Sequence, residues 1–142
     1  MVKVTEVYLP DLYTSYHIPM AGSKISAGFP SPADDYMEVG LDLNEELIKN
    51  PAATYFVRVS GDSMIDAGIH DHDILIVDRS IEAREGKIVI AILDGELVVK
   101  RLQRVKDRLF LVPENKKFRP IPIHPESDFL IWGTVTNVIH SV

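Results

Sequence analysis

The chain has 142 residues, enough for one compact domain that buries roughly two-thirds of the surface its unfolded form exposes. Lys and Arg number 15 against 21 Asp and Glu, a formal charge of −6, so no global basic field attracts phosphate backbones and direct nucleic-acid binding is disfavoured. Cysteine is absent, which excludes disulfides, thiolate metal sites and a cysteine nucleophile and leaves hydroxyl, carboxylate, amine and imidazole chemistry.

The first residues, Met1-Val2-Lys3-Val4-Thr5-Glu6, carry an acidic side chain early, and no apolar run approaches the ~18 residues of a membrane span. A soluble, unsecreted, cytoplasmic protein is expected. Residues 1–36 hold Pro10, Pro19, Pro30 and Pro32 with Gly22 and Gly28 and sustain neither a helical nor a strand period, which predicts a flexible, extended N-terminal arm. Within it, residues 20–28 are mostly small or polar, the composition of backbone open to proteolysis.

Residues 41–51 predict a short helix. Asp42 and Glu45 have capping-box spacing, Leu43, Leu47 and Ile48 share a helical face, and Asn50-Pro51 stops the run. From Ala53 onward the texture is β, with strands expected at 53–60, 73–78, 87–93, 96–103, 108–113 and 128–140 and a tight hairpin at Asp94-Gly95. Six runs joined by short turns argue for a mainly β, compact and strongly bent sheet domain, as a sandwich or a barrel. Glu114-Asn115-Lys116-Lys117 reads as a polar turn, and Pro120, Pro122 and Pro125 confine residues 119–125 to an edge or loop.

The chemistry centres on Ser60-Gly61-Asp62-Ser63-Met64, where the run Tyr55-Phe56-Val57-Arg58-Val59 breaks at Gly61. Ser63 there is a candidate nucleophile, carried with its neighbouring N–H groups at the end of a strand. Gly-Asp-Ser is also ordinary turn chemistry, so a base for Ser63 decides the reading. In the expected strand 96–103 the period of two sets Val98, Lys100 and Leu102 on one face. A lysine there either snorkels to solvent or is a desolvated amine. Each unit by which burial lowers its pKa takes about 1.4 kcal/mol, and a neutral amine accepts a serine proton without any histidine.

Spacing leaves a Ser–His–Asp triad open as well. His17 lies in the arm. His70-Asp71-His72-Asp73 reads as a solvated loop before Ile74-Leu75-Ile76-Val77, and a metal site there requires His124 or His140 to fold close. Neither a metal nor a cofactor is expected.

Five segments in order, Ala27-Gly28-Phe29-Pro30-Ser31-Pro32-Ala33, Leu41-Asp42-Leu43-Asn44, Ser60-Gly61-Asp62-Ser63-Met64-Ile65, Asp73-Ile74-Leu75-Ile76-Val77-Asp78 and Val98-Val99-Lys100-Arg101-Leu102, resemble the UmuD branch of the LexA-type self-cleaving serine proteins. The resemblance runs from about Ala27 to the end. It implies Ser63 as nucleophile, Lys100 as general base and Ala27-Gly28 as the bond the protein cuts in itself; the backbone N–H groups of Ser63 and Met64 are then the candidate oxyanion hole. It also implies an arm, residues 1–27, removed from a serine–lysine protease-like domain, residues 28–142, with a LexA/signal-peptidase-like bent β fold. Expected partners are a second copy in a homodimer, a RecA–single-stranded-DNA filament that stimulates cleavage in the SOS response, and a UmuC-like subunit of an error-prone translesion polymerase.

The 27-residue arm is too short and too Pro-punctuated to hold a helix-turn-helix domain, which argues against a repressor. His72 stands where the family has glycine. The rival readings are a non-catalytic β-domain that binds partners and, with no membrane anchor to support it, a signal-peptidase-like enzyme.

Overall fold

The computed structural model describes residues 1–11, 17–21 and 37–142. In chain order the elements are β1 (Lys3–Tyr8), β2 (His17–Ala21), β3 (Met37–Asp42), α1 (Leu43–Leu47), β4 (Thr54–Ser60), β5 (Ile74–Asp78), β6 (Ile88–Leu93), β7 (Glu96–Val105), β8 (Arg108–Val112), β9 (Ile121–Pro122) and β10 (Phe129–Ile139). They divide into two compact units, one of Asp11–Lys49 and one of Met1–Pro10 with Asn50–Val142.

In the smaller unit β2 and β3 pair antiparallel. The helix is a single turn, and its predicted cap is present: Asp42 accepts from the Asn44 N–H at 2.9 Å. Ile48 leaves the helix in an extended conformation, so the turn closes before the expected Asn50-Pro51 stop.

The larger unit is a sheet in the order β1-β4-β5-β10-β6-β7-β8-β9, in which β1 also pairs with β7. That second pairing closes β1, β4, β5, β10, β6 and β7 into a ring, so the sheet is barrel-like, with β8 and β9 extending from β7. All pairings are antiparallel. The predicted runs correspond to β4, β5, β6, β7, β8 and β10. Asp94 and Gly95 both take positive φ, 50° and 82°, between Leu93 and Glu96, which face each other across the hairpin. Such a two-residue loop has the twist antiparallel strands need.

The residue-by-residue alternation of β7 divides the core. Val99 joins a cluster with Val2, Val57, Val59, Met64, Ile69, Leu75, Val77 and Ile90, whereas Val98 and Leu102 join Val89, Ala91 and Leu111. Lys100, on the face of Val98 and Leu102, sits directly across from buried Val89 of β6.

The structure departs from the expected arm at its first residues. Val2 is fully buried, and β1 runs along β4 from Lys3 opposite Ser60 to Tyr8 opposite Phe56, with a register shift between Val4 and Glu6. That shift interrupts the period of two and conceals the strand in the sequence. Among the described residues, no helix is long and apolar enough to cross a membrane.

Candidate active site

Ser63 lies in the turn that leaves β4, its side chain fully buried. Gly61 opens this turn at φ +107°, and its amide donates to Asp71 Oδ1 at 2.8 Å. A Cβ on Gly61 would stand 2.4 Å from the Met1 carbonyl oxygen, so only glycine lets the N-terminal backbone pass at this point. Beyond Ser63, residues Ile65–Ala67 form a 3-10 turn closed by Gly68 at φ 82°, and the Ile69 N–H returns to the Met64 carbonyl at 3.2 Å.

A second turn holds the first in place. Asn115 Nδ2 donates to the Asp62 carbonyl at 2.9 Å, and the Asp66 N–H donates to the Glu114 carbonyl at 2.8 Å. Glu114 in turn receives the guanidinium of Arg101, the residue beside Lys100. The turn at 114–117, which reads as a polar turn in sequence, is therefore the brace between β7 and the serine turn. Asn115 is buried, and no local pattern in the sequence distinguishes it from an exposed turn residue.

Lys100 is 2 % exposed, and burial lowers its pKa below the ordinary lysine value. The amine thus gives up its proton more readily than a surface lysine. Of the two alternatives for this position, snorkelling or desolvation, the structure shows desolvation.

Val2 bridges the two elements. Its N–H donates to Ser63 Oγ at 2.8 Å, and its carbonyl accepts from the Val99 N–H at 3.1 Å. One residue of extended chain thus spans from the serine hydroxyl to the neighbour of Lys100, bound by its backbone like a strand added to a sheet. Among the described residues the N–H groups of Ser63 and Met64 donate no hydrogen bond. Two unpaired donors beside a serine hydroxyl suit a developing oxyanion. Ala27 and Gly28 lie outside the described residues.

A buried serine hydroxyl and a desolvated lysine, on the two sides of β1 and joined through the Val2 backbone, offer the nucleophile and the base that serine–lysine peptide-cutting enzymes use. The Peptidase S24-like family matches residues 19–136. The chain belongs to the S24 peptidase family. It is 48% identical to protein MucA of Salmonella typhimurium over 123 residues, which cover 86% of this chain and 84% of MucA. It is 48% identical to protein ImpA of Shigella flexneri over 127 residues, 89% of this chain and 86% of ImpA. A LexA repressor from Stenotrophomonas maltophilia is 40% identical over 134 residues, 92% of this chain but 60% of the repressor. As an S24 peptidase of the UmuD-like kind, the chain is a self-cleaving serine peptidase of SOS mutagenesis.

The histidines divide differently. His72 stands at φ 70°, a left-handed conformation that glycine takes without cost and His tolerates under mild strain. It is exposed, with Nε2 3.1 Å from Asp71 Oδ2. His124 lies in another turn, where its N–H bonds Ser127. His140 does fold back to the 70–73 turn, its Nδ1 2.6 Å from Asp73 Oδ1.

Proposed function

We propose that Ser63 is the nucleophile and Lys100 its general base in cutting the bond between Ala27 and Gly28, which separates an arm, residues 1–27, from a domain, residues 28–142. The observation that carries this reading is the Val2 bridge: a backbone segment lies in hydrogen-bond contact with Ser63 Oγ and with the strand of a lysine whose burial favours the neutral amine.

In the reactive arrangement the Ala27 carbonyl carbon lies about 3 Å from Ser63 Oγ. Lys100 takes the hydroxyl proton as the new carbon–oxygen bond forms, and the N–H groups of Ser63 and Met64 hold the oxyanion. Lys100 then passes that proton to the departing Gly28 amine. Water, deprotonated by Lys100, releases the ester at Ala27 and restores Ser63. Small Ala27 and side-chain-free Gly28 suit a cleft whose floor at Gly61 admits backbone alone.

Ser63 Oγ accepts from Val2 in the described state, so the scissile segment has to take the place of Met1 and Val2 before attack. Placement of the segment is then the slow step, and a partner that favours the docked segment is the switch. Such a partner is a RecA–single-stranded-DNA filament, and the shortened product serves a UmuC-like polymerase subunit as a cytoplasmic homodimer.

Mass spectrometry tests the core of this reading. Purified protein held at alkaline pH yields a fragment beginning at Gly28, and Ser63→Ala does not. A fragment from Ser63→Ala, or a cut elsewhere, overturns the assignment. Mixing Ser63→Ala chains with chains that carry an uncleavable 27–28 bond reports whether the cut is made within one subunit or between two.

A further inference from the structure

The turn that follows the serine loop gathers two imidazoles and a carboxylate that the cleavage chemistry does not use. His70, Asp73 and His140 each offer a ligand atom, and these atoms all lie within 4.8 Å of one another. Asp73 is 3 % exposed. Its Oδ1 is 2.6 Å from His140 Nδ1, and its Oδ2 is 3.8 Å from His70 Nδ1. The two rings lie 4.6 Å apart between centroids, tilted by 35°. One backbone bond holds the carboxylate and another holds the residue: the His70 N–H donates to Asp73 Oδ2 at 2.7 Å, and the Asp73 main-chain carbonyl accepts from the Val59 N–H at 3.1 Å.

We propose that His70, Asp73 and His140 form a binding site for one divalent transition-metal ion of the zinc type. The donor set is two imidazole nitrogens and one carboxylate oxygen, which suits zinc, cobalt or nickel and is too rich in nitrogen for calcium or magnesium. Zinc bonds of about 2.0–2.2 Å in tetrahedral geometry set two donors roughly 3.4 Å apart, so the ion replaces the proton of the 2.6 Å Asp73–His140 hydrogen bond and these two atoms open by about an ångström. Both imidazoles present Nδ1, and both side chains are near half exposed. The fourth position therefore faces solvent and takes water, and the ion has a path in.

The site's place in the fold gives it a consequence. Asp73 immediately precedes β5 and His140 immediately follows β10, whose ends meet at the Ile74 and Ile139 pair. His70 belongs to the loop that carries Ser63. A bound ion ties this loop to the C-terminal strand across 67 residues of sequence separation, and it does so without touching the serine or the lysine.

The test uses the untagged full chain, stripped with a chelator. Cobalt(II) titration is expected to give visible d–d absorption that saturates at one ion per chain, and zinc is expected to displace it and raise the melting temperature. His70→Gln and His140→Gln each weaken binding at least tenfold while leaving the melting temperature of the metal-free protein within a few degrees of wild type. His72→Gln, which alters the exposed pair with Asp71, leaves binding unchanged. Absence of saturable binding below millimolar metal overturns the proposal, as does binding that survives His140→Gln or disappears with His72→Gln. Ser63→Ala serves as the background throughout, so the outcome does not depend on self-cleavage.

Discussion

If neutral Lys100 is the base, the pH dependence of spontaneous cleavage has a defined slope. Below the pKa of the amine, each pH unit raises the neutral fraction tenfold. The first-order rate constant then rises tenfold per unit, equivalent to about 1.4 kcal/mol of barrier. The rise levels off at the folded-state pKa, which burial places below the ordinary lysine value. The same shift bears on stability. The unfolded chain holds this proton more tightly than the folded one, so between the folded pKa and the unfolded value of about 10.4 stability rises with pH, and below that window the fold carries the full cost of burying the charge. Lys100→Met removes the charge and keeps an unbranched side chain of similar length. It should abolish cleavage and also raise the melting temperature at neutral pH, by roughly 2–5 °C for each kcal/mol gained in a chain of this size. Fragment yield by mass spectrometry across neutral to alkaline pH and thermal melts of the variant measure both arms. A flat rate profile or an active Lys100→Ala refutes the base assignment, and a Lys100→Met protein that melts below wild type refutes the desolvation argument.

Three further outcomes follow from named contacts. Asn115→Ala removes the bond to the Asp62 carbonyl; urea denaturation should show a loss of about 1 kcal/mol, and self-cleavage should slow roughly tenfold because the serine turn is less well placed. Burial pushes the pKa of Asp78 up, but hydrogen bonds from Asn50 and Ser80 outweigh it and hold the carboxyl below its usual value. Its stabilising contribution is therefore present above the unfolded aspartate pKa of about 3.9 and lost as pH falls through the folded value, so Asp78→Asn should lose roughly 1–3 kcal/mol at neutral pH and show a flatter acid limb than wild type in urea titrations. Val2→Asp puts a charge where a fully buried valine stands. It should displace the N-terminal residues from Ser63 and raise the spontaneous cleavage rate severalfold, whereas a slower rate would mean that Val2 helps build the site rather than occupying it.

Local chemistry made much of this legible in the sequence. The β-branched runs, the Asp94-Gly95 hairpin, the Asp42 cap and the placement of Lys100 between Val98 and Leu102 all depend on residues a few positions apart, where period and propensity act directly. What stayed hidden depends on closure over long separations. Nothing near Val2 signals that it will bridge to Ser63 and Val99, and nothing near His140 selects it over His124 as the histidine that reaches Asp73. The choice of barrel over sandwich turns on β1 meeting both β4 and β7, a pairing whose local pattern is broken by the shift between Val4 and Glu6. Asn115 was concealed for another reason, since its polar turn has the composition of a solvated loop although the residue itself is buried.

The same closure links cleavage to recognition. β1 lies N-terminal to the proposed cut, and it pairs with the two strands that flank the serine and the lysine. Severing the chain at Ala27 turns an intramolecular strand into a separate peptide, and its high effective concentration is lost. Its burial in the larger unit is thin: only Val2 is fully enclosed, and most of Lys3–Tyr8 is exposed. What still holds it is the pairing with β4 and β7 and the two Val2 backbone bonds. Departure of β1 then leaves the backbone groups of β4 from Phe56 to Ser60 unpaired along one side, and an unpaired edge is a template for another strand. If the proposed cut releases β1, the ring opens and offers a new edge in one step, which gives a physical reason for a self-inflicted cut to change what the domain binds. Hydrogen exchange at the amides of residues 56–60 reads this directly: protection lost on cleavage and regained with an added peptide of residues 1–10 supports the opening, and protection unchanged by cleavage shows that the ring stays shut.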